Sequence, residues 1–244
     1  MLTLAVITLN EVDRLEACLR SVPFADEILV LDSGSTDGTL ELARDLGARV
    51  VSTDWPGHVA QKNRALEMAA GDWVLSLDAD ERLSERAAQA VQRALAAPGD
   101  RAGFGFHRCS RWQGRFIRHG RWYPDRKLRL VRRGQGRWGG DDPHDTLQID
   151  GPVTWLDADI LHDPYRSYAD HLGTIARYTS ISARSLHGRG VRARWIDLLF
   201  RPPLHFVDAL LLRVGFLDGW RGVALAGLGA WYVWLKWSKL REMS

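Results

Sequence analysis

Two aspartates one residue apart give the clearest chemical signal in the chain. Asp78 and Asp80 directly follow the apolar run 73–77. Carboxylate oxygens suit Mg²⁺ or Mn²⁺, and the remaining coordination positions of such an ion can take phosphate oxygens. A divalent cation held here would offset the charge that develops on a departing diphosphate. The same aspartates could merely cap the next helix, so this interpretation needs support from the rest of the sequence.

Residues 31–39, which read LDSGSTDGT, form a second candidate ligand-binding segment. Glycine and small hydroxylated residues let backbone N–H groups approach a ligand closely. Asp32 could accept a hydrogen bond from a nucleobase N–H, and Asp37 could cap the following helix. A tight turn between a strand and a helix would use the same residue types. The segment matches neither the dinucleotide-binding glycine pattern nor the P-loop.

Residues 61–65 (QKNRA) place two cations in a predicted helix. Lys62 and Arg64 could both be solvated on the helix surface. Alternatively, one of them could point into a cleft and pair with a phosphate group.

The elements that position these motifs alternate between strand and helix over the first hundred residues. Apolar runs and helical spacing predict strands at 2–8, 27–31, 49–51 and 73–77, and helices at 12–21, 39–46, 59–70 and 84–97. This alternation predicts an α/β fold with a parallel, doubly wound sheet. Ligands of such sheets bind beyond the carboxyl ends of the strands, where the polar clusters 8–11, 32–39 and 78–81 fall.

The two parts of the chain have opposite charge. Residues 1–100 contain nine Lys and Arg against seventeen Asp and Glu, whereas residues 101–244 contain twenty-four against thirteen. The acidic part is suited to cations, and the basic part indicates an anionic partner such as nucleic acid, a phosphorylated glycan or an anionic membrane. Cys18 and Cys109 cannot make a disulfide framework, so a cytosolic location is expected. The N-terminal apolar run has no basic region before it and is interpreted as a buried strand, not a signal peptide.

The regular alternation ends after residue 101. Short strands are predicted at 103–107 and 127–131, and helices from residue 166 onward, with a break at Pro202 and Pro203. The uncharged run 222–235 is shorter than the roughly twenty residues that a membrane-spanning helix needs. Its tryptophans, with lysines and an arginine nearby, are typical of a helix that lies in a membrane interface. A helix packed on the catalytic domain or in a dimer interface remains an alternative.

Four motifs, taken in order, resemble family 2 glycosyltransferases. They are ITLNE (7–11), LDSGSTDGT (31–39), QKNRA (61–65) and LSLDADE (75–81). The resemblance implies a GT-A fold with a mostly parallel sheet, a nucleotide-diphosphate sugar donor, a divalent metal (Mg²⁺ or Mn²⁺) and inversion at the anomeric carbon. It also implies roles for single residues: Thr8, Asn10 and Glu11 line the nucleoside pocket, Asp32 meets the base, Lys62 lies near the nucleotide, Asp78 lies near the ribose or metal, and Asp80 binds the metal.

Looser stretches resemble a narrower branch, the bacterial lipopolysaccharide core glycosyltransferases of the WaaE/KdtX type. These stretches are 118–120, 142–145, 161–162, 218–222 and 235–240. The branch implies transfer of a hexose, glucose from UDP-glucose, to the lipopolysaccharide inner core at the cytoplasmic face of the inner membrane. Where the branch usually has His-Glu, this chain has His144-Asp145, which keeps the carboxylate but shortens its reach.

Inversion requires a general base that takes the proton of the acceptor hydroxyl group. Asp145 is the first choice, followed by Asp142 and Asp141, while His144 could orient the base or the substrate. His162 could complete the metal site, because imidazole is an acceptable ligand for Mn²⁺. Each of these residues could instead be an ordinary turn or surface residue.

We therefore expect a GT-A catalytic domain over residues 1–165, with a nucleotide-sugar half (1–100) and an acceptor half (101–165). Residues 166–244 are expected to form a helical extension that contacts the membrane or a second subunit. With the donor motifs present, the basic stretch 101–140 favours an anionic glycolipid acceptor over nucleic acid. Three rivals remain: a transferase acting on polyprenyl phosphate, a non-catalytic nucleic-acid or membrane-binding module, and a phosphotransferase with Asp78 as its nucleophile.

Overall fold

A computed structural model of the 244-residue chain describes residues 1–140 and 145–243. The chain forms two compact units. Unit 1 comprises Met1–Arg108 and Asp125–His162, and unit 2 comprises Cys109–Pro124 and Asp163–Ser244. The domain boundary expected near residue 165 stays a prediction.

Strands dominate unit 1, and helices dominate unit 2. The described strands are β1 Leu2–Thr8, β2 Glu27–Asp32, β3 Arg49–Ser52, β4 Trp73–Asp78, β5 Glu81–Leu83, β6 Gly103–Trp112, β7 Arg115–Phe116, β8 Asp125–Arg132, β9 Gly136–Gly139, β10 Thr146–Ile149 and β11 Val153–His162. The described α-helices are α1 Leu15–Arg20, α2 Thr39–Asp45, α3 His58–Met68, α4 Glu85–Ala96, α5 Tyr168–Gly188, α6 Trp195–Val207 and α7 Trp220–Glu242. A π-helical turn, Asp208–Leu212, and a 3₁₀ turn, Gly215–Asp218, connect α6 to α7.

The main sheet of unit 1 begins as a parallel sheet. Its strand order is β3-β2-β1-β4-β8-β6-β11-β5, and the first four strands run parallel to one another. Apolar residues of β1 alternate between two cores: Leu4 and Val6 contribute to one core with α1 and α4, whereas Ala5 contributes to the other with α3. Because both faces are covered, β1, β2 and β4 are largely apolar runs, whereas the edge strand β3 has no buried residue. The predicted α/β class is confirmed.

The sheet continues with antiparallel strands. β8 pairs antiparallel with both β4 and β6, and β5 pairs antiparallel with β11. β9 and β10 form a separate two-stranded antiparallel sheet. The predicted strands 103–107 and 127–131 are present as parts of β6 and β8, which are longer than predicted.

Unit 2 has its own small cores. One contains Ala183, Ala193, Trp237 and Leu240, and another is built on Trp112, Ile117 and Leu225. None of the described helices is long and apolar enough to cross a membrane.

The predicted break at Pro202 and Pro203 is wrong, because α6 continues through both prolines to Val207. A proline inside a helix removes one backbone hydrogen bond and costs about 3 kcal/mol. Tertiary interactions offset this cost: α6 packs against α7, and the Arg201 guanidinium lies 4.2 Å from the centroid of the Trp237 ring. The irregularity falls instead in the π-helical turn that follows the helix.

Candidate functional site

The register of the parallel strands brings the predicted polar clusters together at one edge of the sheet. Thr8 at the end of β1 is paired with Asp32 at the end of β2, and Ile7 is paired with Asp78 at the end of β4. The carboxyl ends of three adjacent strands therefore carry Thr8, Asp32 and Asp78 side by side, as the alternation of strands and helices predicted.

Asp32 organises the turn after β2. Its carboxylate is fully buried and accepts hydrogen bonds from the backbone N–H groups of Gly34 and Ser35, both at 2.8 Å, and from the Thr8 hydroxyl group at 3.0 Å. The Ser35 hydroxyl group donates to the same carboxylate. Asp32 thus fixes the shape of the turn through contacts with the protein itself.

Asn10 and Glu11 fix the loop after β1. The Asn10 side chain accepts a hydrogen bond from the backbone N–H of Thr36 at 2.9 Å, and Asn10 has a φ of +57°. Asparagine tolerates this left-handed conformation better than most residues. The Glu11 carboxylate makes a bidentate ion pair with Arg14, with both N–O distances at 2.6 Å. The contact of Asn10 with Thr36 holds the loop against the turn after β2, and the Glu11–Arg14 pair fixes the loop internally.

Lys62 of α3 bridges two carboxylates. Its Nζ lies 2.7 Å from Asp78 Oδ1 and 2.7 Å from Asp145 Oδ2. The Lys62 side chain is only 4% exposed, and Nζ lies 4.5 Å from the centroid of the Trp138 ring. The charge of this buried lysine is therefore compensated by two carboxylates and an aromatic face.

The neighbours of Lys62 in the QKNRA motif hold α3 in place. The Asn63 side chain donates to the Trp138 carbonyl at 2.9 Å and accepts from the Trp138 backbone N–H at 2.8 Å, which ties β9 to α3. Gln61 donates to the hydroxyl groups of Ser33 and Thr53. Arg64 pairs with the exposed Asp54 at 2.8 Å, so the cation directed into the site is Lys62.

Arg129 of β8 is a second buried cation, and the sequence analysis missed it. Its guanidinium group makes a bidentate contact with Glu81, at 2.8 and 3.0 Å, and reaches Asp78 Oδ2 at 3.2 Å. Arg108 also approaches Glu81, at 3.3 Å. An arginine between two leucines of a predicted strand is the signal that could have found it, because an arginine is almost never buried without a partner.

The ion pairs govern the pKa values of this cluster. Burial by itself would raise the pKa of Asp78, but the charges of Lys62 and Arg129 outweigh burial and hold that pKa well below its ordinary value. The pKa of Glu81 is lowered in the same way to about 2, mainly by Arg129 acting against burial. Burial would lower the pKa of Arg129, but Glu81 and Asp78 raise it overall. Asp78 and Glu81 are therefore ionised at neutral pH.

Asp80 lies beside His162, as the pairing of β5 with β11 requires. His162 is the register partner of Glu81, and its Nε2 lies 3.5 Å from Asp80 Oδ2. The same carboxylate oxygen lies 3.8 Å from Arg14 Nη1. The Asp80 and Asp78 side chains are 21% and 28% exposed, but the two oxygens of Asp78 already contact Lys62 at 2.7 Å and Arg129 at 3.2 Å. Asp80 has only the longer contacts with His162 and Arg14, so of the two motif aspartates it is the less tightly paired.

The donor atoms at Asp80 and His162 fit a divalent cation. A carboxylate oxygen and an imidazole nitrogen are both ligands that Mn²⁺ accepts. Within residues 1–140 and 145–243, no three His, Cys, Asp or Glu side chains come together as a complete metal site. Two protein ligands suit an ion whose other positions are filled by phosphate oxygens and water.

Of the four acceptor-half residues considered for catalysis, Asp145 is among the described residues. Asp141, Asp142 and His144 lie outside the described residues. Asp145, the first choice for the general base, is described, and its side chain is 11% exposed.

Comparison with known proteins identifies sequence relatives over most of the chain. The family model described as Glycosyl transferase family 2 matches residues 3–148. The lipopolysaccharide core biosynthesis glycosyltransferase LpsC of Rhizobium meliloti (strain 1021) is 32% identical over 249 residues, covering 97% of this chain and 90% of the relative. The uncharacterized glycosyltransferase RT0209 of Rickettsia typhi is 27% identical, covering 98% of this chain and 86% of the relative.

Solved structures share the fold at low sequence identity. The mannosyltransferase PcManGT from Pyrobaculum calidifontis, in complex with GDP-Man and Mn²⁺, has a TM-score of 0.57 at 17% identity, with 98% of this chain and 86% of that chain covered. Residues 1–349 of S. aureus TarS, in complex with UDP-GlcNAc, give a TM-score of 0.50 at 14% identity, with 98% and 89% covered. These likenesses confirm the expected GT-A fold.

Proposed function

The chain belongs to the glycosyl transferase family 2, and we propose on this basis that it transfers a hexose from a nucleotide-diphosphate sugar to the core of lipopolysaccharide. UDP-glucose is the proposed donor, transfer inverts the anomeric carbon, and the acceptor is an anionic glycolipid at the cytoplasmic face of the bacterial inner membrane. The similarity to LpsC over nearly the whole chain supports the acceptor class.

The main observation behind this proposal is that Asp80 lies beside His162. Next to them, the carboxylates of Asp78, Glu81 and Asp145 are all paired with Lys62 or Arg129. We assign the divalent metal, Mg²⁺ or Mn²⁺, to Asp80 and His162, whose side chains are 21% and 12% exposed. When bound, such an ion would neutralise the charge of the leaving nucleoside diphosphate. The complexes of PcManGT with Mn²⁺ and GDP-Man support a divalent metal in this fold.

Residues of the chain itself position the nucleoside and the carboxylates of the site. We assign the nucleoside to the carboxyl ends of β1 and β2, beside the loops that carry Thr8, Asn10, Glu11 and Asp32. These loops are held together by the hydrogen bonds described above, and the fully buried Asp32 shapes them through its contacts with the protein. Lys62 fixes Asp78 and Asp145 relative to each other, since one Nζ contacts both carboxylates at 2.7 Å. A fixed framework of this kind holds the reacting groups in a productive orientation.

Asp145 is the proposed general base. Its Oδ2 accepts a hydrogen bond from Lys62, which orients the carboxylate, and part of the side chain reaches solvent. In an inverting transfer, the base takes the proton of the acceptor hydroxyl group as the oxygen attacks the anomeric carbon from the side opposite the leaving group. Asp142 remains the second choice, and His144 remains assigned to orientation of the base or the acceptor.

The test is thermal unfolding of the protein with UDP, UDP-glucose, UDP-GlcNAc and GDP-mannose, each with and without Mn²⁺. A ligand at a hundredfold excess over its Kd stabilises the folded state by about 2.7 kcal/mol, so UDP and UDP-glucose should raise the midpoint only when Mn²⁺ is present. Asp80→Asn should abolish the Mn²⁺-dependent part of this shift. Asp150→Asn, at an exposed position of the same unit, is the matched control and should respond as the wild type does.

A turnover assay distinguishes the loss of the proposed base from the loss of donor binding. Asp145→Asn should lower kcat by about 10²- to 10⁴-fold while the UDP–Mn²⁺ stabilisation is retained. Equal turnover by Asp145→Asn and the wild type would eliminate this residue as the base. A midpoint that no nucleotide raises, with or without metal, would overturn the proposed donor site as a whole.

A further inference from the structure

The exposed apolar side chains of this protein are concentrated in one part of unit 2. Of the twenty-two large apolar side chains that are exposed among the described residues, fifteen lie between Trp195 and Trp234. We call the exposed apolar residues of α6 and of the two short turns after it the apolar face. It consists of Trp195, Ile196, Leu199, Phe200, Leu204, Val207, Leu211, Leu212, Val214, Phe216 and Leu217. Exposed apolar surface on this scale indicates an interaction site.

Helix α6 has the reverse of the polarity expected for a helix in water. Its one buried residue is Asp197, whereas Trp195, Leu199 and Leu204 are 70%, 67% and 64% exposed. Asp197 accepts hydrogen bonds from the Arg201 side chain at 2.7 Å and from the Arg194 backbone at 2.9 Å. A surface helix of a soluble protein buries its apolar residues and exposes its charges. The reversal indicates that the outer side of α6 meets an apolar medium.

The net charge of this region indicates which kind of partner could cover the apolar face. Residues 189–244 contain nine Lys and Arg and four Asp and Glu. Three of the four acidic residues are held by partners within unit 2: Asp197 pairs with Arg201, Asp208 with Arg121 and Arg213, and Asp218 with the backbone N–H groups of residues 118 and 119. With nine basic and four acidic residues, the region has a net charge of +5, and the Arg241 guanidinium lies 3.9 Å from the centroid of the Trp195 ring of the apolar face.

We propose that the apolar face docks into the surface of a bilayer that contains anionic phospholipids. Tryptophan, leucine and phenylalanine would enter the boundary between headgroups and acyl chains, while arginines and lysines contact lipid phosphates. A second copy of the chain would bring two positively charged surfaces together, which is unfavourable, whereas anionic lipid neutralises them. The docking does not depend on the proposed sugar transfer, because it is measured without donor or acceptor.

Vesicle co-sedimentation of the full chain tests the docking. The probes are vesicles of phosphatidylcholine alone and of phosphatidylcholine mixed with phosphatidylglycerol, each at low and high salt. The wild type should bind the mixed vesicles more tightly, and salt should weaken that binding because it screens the charge attraction. The variant L204E/L212E replaces two side chains that are 64% and 75% exposed, so its fold should persist. Its binding should fall on the order of a hundredfold.

The matched control is Q89E/Q92E, which adds two negative charges at exposed positions of α4 in unit 1. It should bind mixed vesicles as the wild type does. Circular dichroism and thermal unfolding without vesicles establish that L204E/L212E is folded. The docking is wrong if the wild type binds no vesicles, or if L204E/L212E and Q89E/Q92E bind equally. Light scattering adds a further readout. If the wild type is a dimer, and L204E/L212E is a monomer that binds vesicles as well as the wild type does, then the apolar face contacts a second copy of the chain and the bilayer docking is wrong.

Discussion

Arg129 is buried within a strand, and its guanidinium group is stabilised by carboxylates instead of water. Its side chain is 4% exposed and contacts Glu81, which is fully buried, and Asp78. A buried arginine that loses its partner keeps the full cost of desolvation. The geometry of Asp78 therefore depends on a residue, Glu81, that the proposed chemistry does not itself use.

Replacing Glu81 tests this dependence. Glu81→Gln removes the bidentate partner of Arg129, so the free energy of unfolding should fall by about 3–5 kcal/mol. Urea unfolding monitored by circular dichroism measures the change. The control is Asp157→Asn, which removes an ion pair with Arg86 whose two side chains are 88% and 67% exposed. An exposed pair contributes about 0–1 kcal/mol, so similar losses in the two variants would contradict the predicted role of Glu81.

The site residues could be predicted in part because their motifs are local. The polar clusters at the ends of β1, β2 and β4 follow from strand periodicity, and the register of these strands places Thr8, Asp32 and Asp78 together. Arg129 is 48 residues away from Glu81 in the sequence, and the local sequence pattern of β8 does not indicate which residue pairs with it. A long-range ion pair of this kind depends on how antiparallel strands are added to the sheet, which a local pattern does not specify.

At the scale of elements, the strands that were predicted have local sequence patterns, whereas the strands that were missed depend on long-range pairing. Strands β1, β2 and β4 are apolar runs because helices cover both faces of the sheet. Strand β5 is only three residues, Glu81–Leu83, and forms because the distant β11 provides its pairing partner. The two-stranded sheet of β9 and β10 is likewise positioned by a distant residue, Asn63, which hydrogen-bonds to the Trp138 backbone. Short antiparallel strands have too little periodicity to be read from sequence alone.

Helix α7 provides a matched pair of glycines that tests close packing in unit 2. A Cβ on Gly222 would lie 1.7 Å from the carbonyl oxygen of Gly215, a backbone atom that cannot move aside, whereas a Cβ on Gly227 would meet nothing within 4 Å. Gly222→Ala should destabilise the protein by about 2–3 kcal/mol, because the start of α7 must shift. Gly227→Ala should stabilise it by about 0.5–1 kcal/mol through helix propensity. Thermal unfolding compares the two; equal effects would show that the contact with Gly215 does not constrain the helix.

At the scale of the whole molecule, charge is divided along the chain. Residues 1–100 contain seventeen acidic and nine basic residues, and they supply Asp78, Asp80 and Glu81. The compensating arginines, Arg108 and Arg129, come from the basic part of the chain and reach the site through β6 and β8. The charge asymmetry that is visible in the sequence is therefore partly cancelled within unit 1 by these buried ion pairs.

The buried carboxylates should make folding stability fall at acidic pH. The pKa of Glu81 is lowered from 4.5 to about 2, by Arg129 acting against burial, and the pKa of Asp78 is also lowered. A carboxylate with a lowered pKa in the folded state contributes its stability above the pKa of the unfolded state, and this contribution is lost as pH falls through the folded value. For Glu81 the loss falls between about pH 4.5 and pH 2 and amounts to about 3 kcal/mol.

Thermal midpoints measured across this pH range check the prediction. The midpoint of the wild type should drop steeply below pH 4.5, the unfolded-state value for Glu81. Glu81→Gln has no proton to bind at this position, so its profile should start lower at neutral pH and fall less steeply as the solution is acidified. Asp157→Asn, which lacks only an exposed carboxylate, should follow the wild-type slope. Parallel profiles for the wild type and Glu81→Gln would mean that other carboxylates govern acid unfolding, and that the ion pair with Arg129 does not hold Glu81 ionised as its contacts require.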